Sequence, residues 1–240
     1  MFIIFIPLLI VAYLLGSVPA AYLVTKWRRG IDIRRYGSSN VGASNVFTVI
    51  SKRWTIPVII FDLFKGIFMV WLAQRLGLSV SQQIAVGMLI IIGHNWSFFL
   101  GFSGGRGILS SLGVIFIFSP IIGVIILVLA YSLAPFRMLP LGVFFGLISA
   151  PLLSWFLSEP LDIEERLTVT LGFLVIAIVA FVRRLTVPRT SFTDQVSRKE
   201  LIFYRILLDR DIRDRSTWIK QKPDSESPVD DIPDRSAEKS

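Results

Sequence analysis

"GILSSLGVIFIFSPIIGVIILVLAYSLAP", residues 107–135, is apolar almost throughout and broken by a single Ser-Pro step at 119–120. Its reading decides the fold, because it fixes how often the chain crosses a membrane and on which side it ends. One helix needs roughly 17–25 residues to cross a bilayer, and this stretch is longer. Ser119-Pro120 therefore reads as a tight turn between two crossings, 107–119 and 120–135. A proline kink in one tilted helix is the alternative.

Working outward, further apolar spans lie at 2–24, 55–73, 83–100, 140–157 and 167–182, which gives seven crossings. With 53% hydrophobic residues, a mean hydropathy of +0.68 and charges gathered between long uncharged runs, the chain is a polytopic membrane protein. The first span lacks a basic leader, is too long for a signal-peptide core, and is followed by Lys26, Arg28 and Arg29. It reads as a retained helix with the N-terminus outside.

Seven crossings then put 25–54, 101–106, 136–139 and everything after 182 in the cytoplasm. Those segments hold all of the 25 lysines and arginines except Lys65, Arg75 and Arg166. That bias obeys the positive-inside rule, whereas six crossings would place the basic tail on the wrong side. The expected fold is an all-α integral membrane protein of about seven transmembrane helices, C-terminus cytoplasmic. Residues 1–189 form the membrane domain. Residues 190–220 form a cytoplasmic amphipathic segment, with Leu201, Tyr204, Leu208 and Ile212 at helical spacing, lying on the membrane or on the bundle. Residues 221–240, rich in Asp, Ser, Pro and Lys, are expected to be disordered. The outside loop "SEPLDIEER", 158–166, reads as a solvated connector.

Cysteine is absent and there is one histidine, which excludes disulfides, Cys/His zinc sites, thiolate nucleophiles and haem attachment. No metal or cofactor is expected. Three polar clusters remain on the cytoplasmic side. The first, "RRYGSSNVGASNV" at 34–46, offers Gly37, Ser38, Asn40, Gly42 and Asn45. Glycines can turn backbone N–H groups towards an anion while small polar side chains add donors, although the same composition serves an ordinary connecting loop. The second is Asp62 and Lys65, three residues apart on one helical face inside a span. They either pair with each other or orient a substrate group.

The third is "GHNWSFFLGFSGGRG", 93–107, with His94 and Asn95 ending one span and Gly104, Gly105, Arg106 and Gly107 leading into the next. A glycine turn before a helix N-terminus favours an anion, and Arg106 adds a full positive charge. The P-loop spacing is missing, which disfavours nucleotide hydrolysis.

These residues resemble the bacterial acyl-phosphate:glycerol-3-phosphate acyltransferases of the PlsY type. The likeness runs in order through "YLLGSVPAAYLV" (13–24), "DIRRYGSSNVGASNV" (32–46), "DLFKG" (62–66) and "GHNWSFFLGFSGGRGILSSLG" (93–113). It implies a seven-helix membrane fold with a cytoplasmic active site. It also implies transfer of a fatty acyl group from acyl phosphate to the sn-1 hydroxyl of glycerol 3-phosphate, giving lysophosphatidic acid for phospholipid synthesis. The implied partners are acyl phosphate, glycerol 3-phosphate and membrane lipid, with no nucleic acid, in the bacterial inner membrane. Ser38 and Asn45 match the first motif and, with His94, are the expected catalytic residues. Gly37, Asn40, Gly42, Asp62, Lys65, Asn95, Gly104, Gly105, Arg106 and Gly107 are the expected substrate and phosphate contacts.

The chain departs from the family pattern at four places. Arg106 replaces a lysine, and Thr48 and Ser103 stand where an arginine and a lysine are usual. "VRRLTVPRTS" (182–191) replaces a His-Arg-Glu-Asn-type run, with Arg183 and Thr186 in the histidine and asparagine places. Arg183, Arg184 or Arg189 reaching the cradle would replace charge lost near Thr48. A second reading is a catalytically inactive relative that binds phosphorylated lipid precursors or partners a true acyltransferase.

Overall fold

The computed structural model describes residues 2–188, 190 and 192–219, so Arg189 and the tail at 221–240 lie outside the described residues. Among the described residues every regular element is helical. α1 (Phe2–Ser17) and α2 (Ala20–Arg29) are divided at Val18-Pro19, because proline disfavours helical geometry in the residue before it. α2 ends at Gly30, whose φ of 69° suits a left-handed cap. α3 (Ala43–Val49) is short, and α4 (Lys52–Arg75) and α5 (Val80–Asn95) are long. α6 (Ile108–Phe118), α7 (Pro120–Ser132), α8 (Leu139–Phe156) and α9 (Arg166–Leu185) complete the bundle. α10 (Arg198–Leu208) and α11 (Arg215–Ile219) follow it.

Every apolar stretch expected to span is helical, but their lengths differ. Among the described residues five stretches are long and apolar enough to cross a membrane: Ile3–Arg29, Lys52–Arg75, Val80–Leu100, Leu139–Phe156 and Arg166–Leu185. α6 and α7, with 11 and 13 residues, reach only about 16 and 20 Å at 1.5 Å per residue. The hydrocarbon layer is about 30 Å thick. Ser119 breaks them apart, with extended backbone and a side chain that accepts the Ile122 N–H, while Pro120 takes the first helical position.

The residues flanking this pair show that it folds back. Arg183 near the end of α9 donates to the carbonyls of Gly104 and Gly105, just before α6. Its neighbour Arg184 donates to the Pro140 carbonyl, at the start of α8. α6 therefore leaves one end of the bundle and α7 returns to it. α6 packs on α4 and α7 on α8.

Close helix approach depends on missing side chains. A Cβ on Gly16 or Gly93 would strike the backbone of the partner across the α1–α5 contact, and one on Gly66 or Gly113 would do so between α4 and α6. In lipid, where no hydrophobic force separates helix from tail, such close packing holds helices together.

Candidate functional site

The three polar clusters meet at the α9 C-terminal end of the bundle. Inside α4, Asp62 and Lys65 are 2% and 1% exposed, with Lys65 Nζ 2.9 Å from Asp62 Oδ1. Lys65 also donates to the Gly16 carbonyl at 3.0 Å and lies 2.9 Å from His94 Nδ1. His94 Nδ1 is also 3.4 Å from Asp62 Oδ1; because a charged ammonium only donates, the contact with Lys65 assigns Nδ1 as an acceptor and the ring proton to Nε2. Nε2 faces Gly105: a Cβ there would overlap it and also the Val41 carbonyl oxygen. The ion pair and the histidine thus form one buried unit behind the glycine turn.

The turn itself is braced from both sides. Its Gly104 and Gly105 N–H groups donate back to the Asn95 and His94 carbonyls at 3.2 and 3.0 Å. Arg183 Nε and Nη2 hold the carbonyls of Gly105 and Gly104 at 2.9 and 2.8 Å. These two glycines therefore give shape to the site, and their N–H groups are not available to a ligand. What the turn offers is Arg106, Gly107 with φ 68° at the N-cap of α6, and the first-turn N–H groups of that helix. Arg106 is 7% exposed and its Nε donates to Asp209 Oδ1 at 2.5 Å. Asn95 is fully buried, lies against Gly107, and neither atom of its amide has a hydrogen-bond partner among the described residues. Buried polar groups of this kind are met by a ligand or solvent.

The 36–45 loop is organised by Asn45. Its Oδ1 accepts the Ser38 N–H at 3.0 Å, while Nδ2 donates to the carbonyls of Tyr36 and Asn40 at 3.0 Å and of Ile33 at 3.3 Å. Gly37, with φ 60°, lies so close that a Cβ would overlap Asn45 Oδ1. Gly42 precedes α3 in extended geometry. The Asn45 amide is thus fully committed to the loop, whereas the half-buried Ser38 makes no side-chain hydrogen bond among the described residues. Asn40 Oδ1 is also buried without a hydrogen-bond partner among the described residues. Arg34 links this loop to the 98–100 turn, pairing with Asp32 at 2.6 Å and donating to the Leu100 carbonyl at 3.3 Å. Burial pushes the Asp32 carboxyl up, but the Arg34 hydrogen bonds and charge outweigh it and hold that carboxyl below its ordinary range.

Thr48 is exposed and bonds the Ser44 carbonyl. Arg184 joins α9 to the carbonyls of Pro140 and Ile206. Of the arginines after 182 that the structure describes, Arg183 is the one that reaches the turn. Sequence reasoning missed Asp209, Asp211 and Arg205. Each lies in a densely charged segment where no single charge stands out.

Residues 6–189 match the sequence profile of the family described as glycerol-3-phosphate acyltransferase; α10 and α11 lie beyond that match. Two Dehalococcoides mccartyi proteins named glycerol-3-phosphate acyltransferase 5 and 4 are each 46% identical to this chain. The first alignment covers 95% of this chain and 99% of the relative, the second 92% and 94%. A crystal structure of PlsY, described as an integral membrane glycerol 3-phosphate acyltransferase in its glycerol 3-phosphate form, has a TM-score of 0.68 at 28% identity. The match covers 75% of this chain and 88% of that one. Its lysophosphatidic acid form matches with a TM-score of 0.65 at 26% identity, over 75% and 87%. Profile and long alignments agree: the chain belongs to the glycerol-3-phosphate acyltransferase family.

Proposed function

We propose that this chain transfers a fatty acyl group from acyl phosphate to the sn-1 hydroxyl of glycerol 3-phosphate at the cytoplasmic face of a bacterial plasma membrane. The new bond joins the glycerol oxygen to the acyl carbon. The bond from that carbon to the phosphate oxygen breaks, and the hydroxyl proton leaves with the phosphate. The products are lysophosphatidic acid and inorganic phosphate. Acyl phosphate is a mixed anhydride with a good leaving group, so the protein's task is to position two anions and stabilise charge as the acyl carbon is attacked.

The observation that carries this reading is the convergence of Arg106, Asn95, His94 and the Ser38 loop at one end of an apolar bundle. Arg106 and the α6 N-terminus take the acceptor's phosphate, with Gly104, Gly105 and Gly107 giving them room. His94, protonated on Nε2 with Nδ1 occupied by Lys65, serves as a donor at the turn and not as a base. Asp62 and Lys65 hold that tautomer. Asn45, Gly37, Asn40 and Gly42 shape the loop that presents Ser38 to the donor. The forms in which PlsY was crystallised name the same acceptor and product, and they support the assignment here.

The test is phosphate release by purified protein in detergent with palmitoyl phosphate, with and without glycerol 3-phosphate, alongside Ser38→Ala and Arg106→Ala. Acceptor-dependent release that both variants lose is the expected result. No release from the wild type, with glycerol 3-phosphate still bound, would assign the chain a binding role without transfer.

A further inference from the structure

We propose that Asp209, beyond the family-matched region, is a positioning residue for Arg106, so that the segment 192–211 is part of the acceptor site. The inference rests on the acyltransferase reading above for the identity of the acceptor. Arg106 projects from a four-residue turn that holds three glycines, which on its own fixes a long side chain poorly. Arg183 adds a second guanidinium at the same turn, and two like charges held there repel. Asp209 is the only carboxylate among the described residues that bonds Arg106.

The manner of the contact separates positioning from obstruction. Asp209 takes Nε, at 2.5 Å, and among the described residues no hydrogen bond occupies either Nη group. A guanidinium carries five donors in a rigid fork, so an Nε anchor leaves the outer edge to receive two phosphate oxygens. With two cations and one carboxylate at the turn, the local charge stays positive and still suits a dianion.

Asp209 is itself held firmly enough to act this way. It caps α10 with φ 52° and ψ 43°, its N–H bonded to the Arg205 carbonyl. Ser197 and Glu200 form a capping box at the other end of the helix. Arg205, 6% exposed, binds the carbonyls of Leu185, Val187 and Pro188 as well as Asp211 at 2.7 Å. Asp211 in turn accepts from the hydroxyls of Thr190 and Thr193 at 2.8 and 3.0 Å. A charged network thus fixes the cap residue to α9, and through it the carboxylate to Arg106.

The experiment uses the full chain with Asp209→Asn and Asp209→Gly, both of which tolerate the left-handed conformation and so keep the cap. Asp194→Asn, an exposed carboxylate of the same segment, is the charge control. Initial rates are measured against each substrate, and glycerol 3-phosphate binding is measured by calorimetry without donor. Both Asp209 variants should raise the KM and Kd for glycerol 3-phosphate about tenfold, with the acyl phosphate KM and kcat within about threefold of wild type. On an Arg106→Gln background they should add nothing, because the residue acts through Arg106.

Acceptor KM and Kd within about twofold of wild type would overturn the proposal. So would tighter acceptor binding, which would make Asp209 a competitor of phosphate, or an undiminished effect on the Arg106→Gln background. If the wild type binds glycerol 3-phosphate without transferring an acyl group, the enzymatic reading fails, and calorimetry on the same variants still decides the role of Asp209. If the wild type does not bind glycerol 3-phosphate, both fall.

Discussion

Lys65 bonds the Gly16 carbonyl and His94 Nδ1 and lies 2.9 Å from Asp62 Oδ1, so its buried charge is compensated by the Asp62 carboxylate. Removing it strands the Asp62 carboxylate. Lys65→Met should therefore destabilise the protein by about 3–5 kcal/mol, while the double variant Asp62→Leu/Lys65→Met should cost less, since both charges leave together. Thermal melting in detergent checks this, and a double variant no more stable than the single one would show that the pair does not compensate itself. The glycines allow a sharper comparison. At Gly105 a Cβ would meet both the His94 ring and the Val41 carbonyl, whereas at Gly101, φ 59°, nothing lies within 4 Å. Gly105→Ala should lower turnover about a hundredfold by displacing His94. Gly101→Ala should cost only the roughly 1–2 kcal/mol of a left-handed alanine and keep turnover. Residues of this kind were legible in the sequence, because glycine runs and charges inside an apolar span are rare enough to stand out. Which way the backbone of the turn faces was not. Gly104 and Gly105 bond back to α5, a choice made by tertiary packing that no local pattern encodes.

At the scale of elements, α10 shows where periodicity stops being informative. Its apolar stripe, Leu201, Tyr204, Leu208 and onward to Ile212, is only half-buried, while Arg205 between them is buried. Helical spacing marks which side chains are greasy, but this helix lies beside α8 and α9 and its buried guanidinium bonds the carbonyls of Leu185, Val187 and Pro188 at the end of α9 and just after it. Carbonyls have no sequence signature, so the sequence reads only as an amphipathic helix lying on the membrane or on the bundle. Arg205→Ala removes those bonds and leaves Asp211 without its cation. A loss of about 3 kcal/mol in local stability should follow, which speeds proteolytic cleavage within 190–215 about a hundredfold. Limited proteolysis with mass mapping reads this directly, and a cleavage rate equal to wild type would mean that apolar contacts dock α10 without the network. The α6–α7 pair makes the converse point. Its break at Ser119-Pro120 was legible from a single dipeptide and from length, because proline starts a helix well and continues one badly.

For the whole molecule, the fold-back of α6 and α7 fixes which connections share one end of the bundle. Because both ends of that pair meet the C-terminal end of α9, residues 107–135 leave and rejoin one side of the molecule. The polar turn at 101–107, the 133–138 connection and α10 then share that side. The turns at 76–79 and 157–165 lie on the other. This parity is the same as for seven full crossings, although α6 and α7 are too short to cross alone. By the positive-inside rule the arginine-rich end is expected to face the cytoplasm. The chain has no cysteine, so single substitutions at exposed sites give unambiguous labels. In intact cells a membrane-impermeant maleimide should reach Gln74→Cys and Glu159→Cys, and should reach Arg53→Cys and Arg213→Cys only after lysis. If residues 107–135 instead crossed once as a kinked helix, Glu159→Cys would become protected and Arg213→Cys accessible, while Arg53→Cys and Gln74→Cys kept their sides. That second pattern would separate α10 from the glycine turn by the thickness of the bilayer. It could not coexist with an Arg106–Asp209 ion pair, so the labelling tests the topology and the integrity of the acceptor site together.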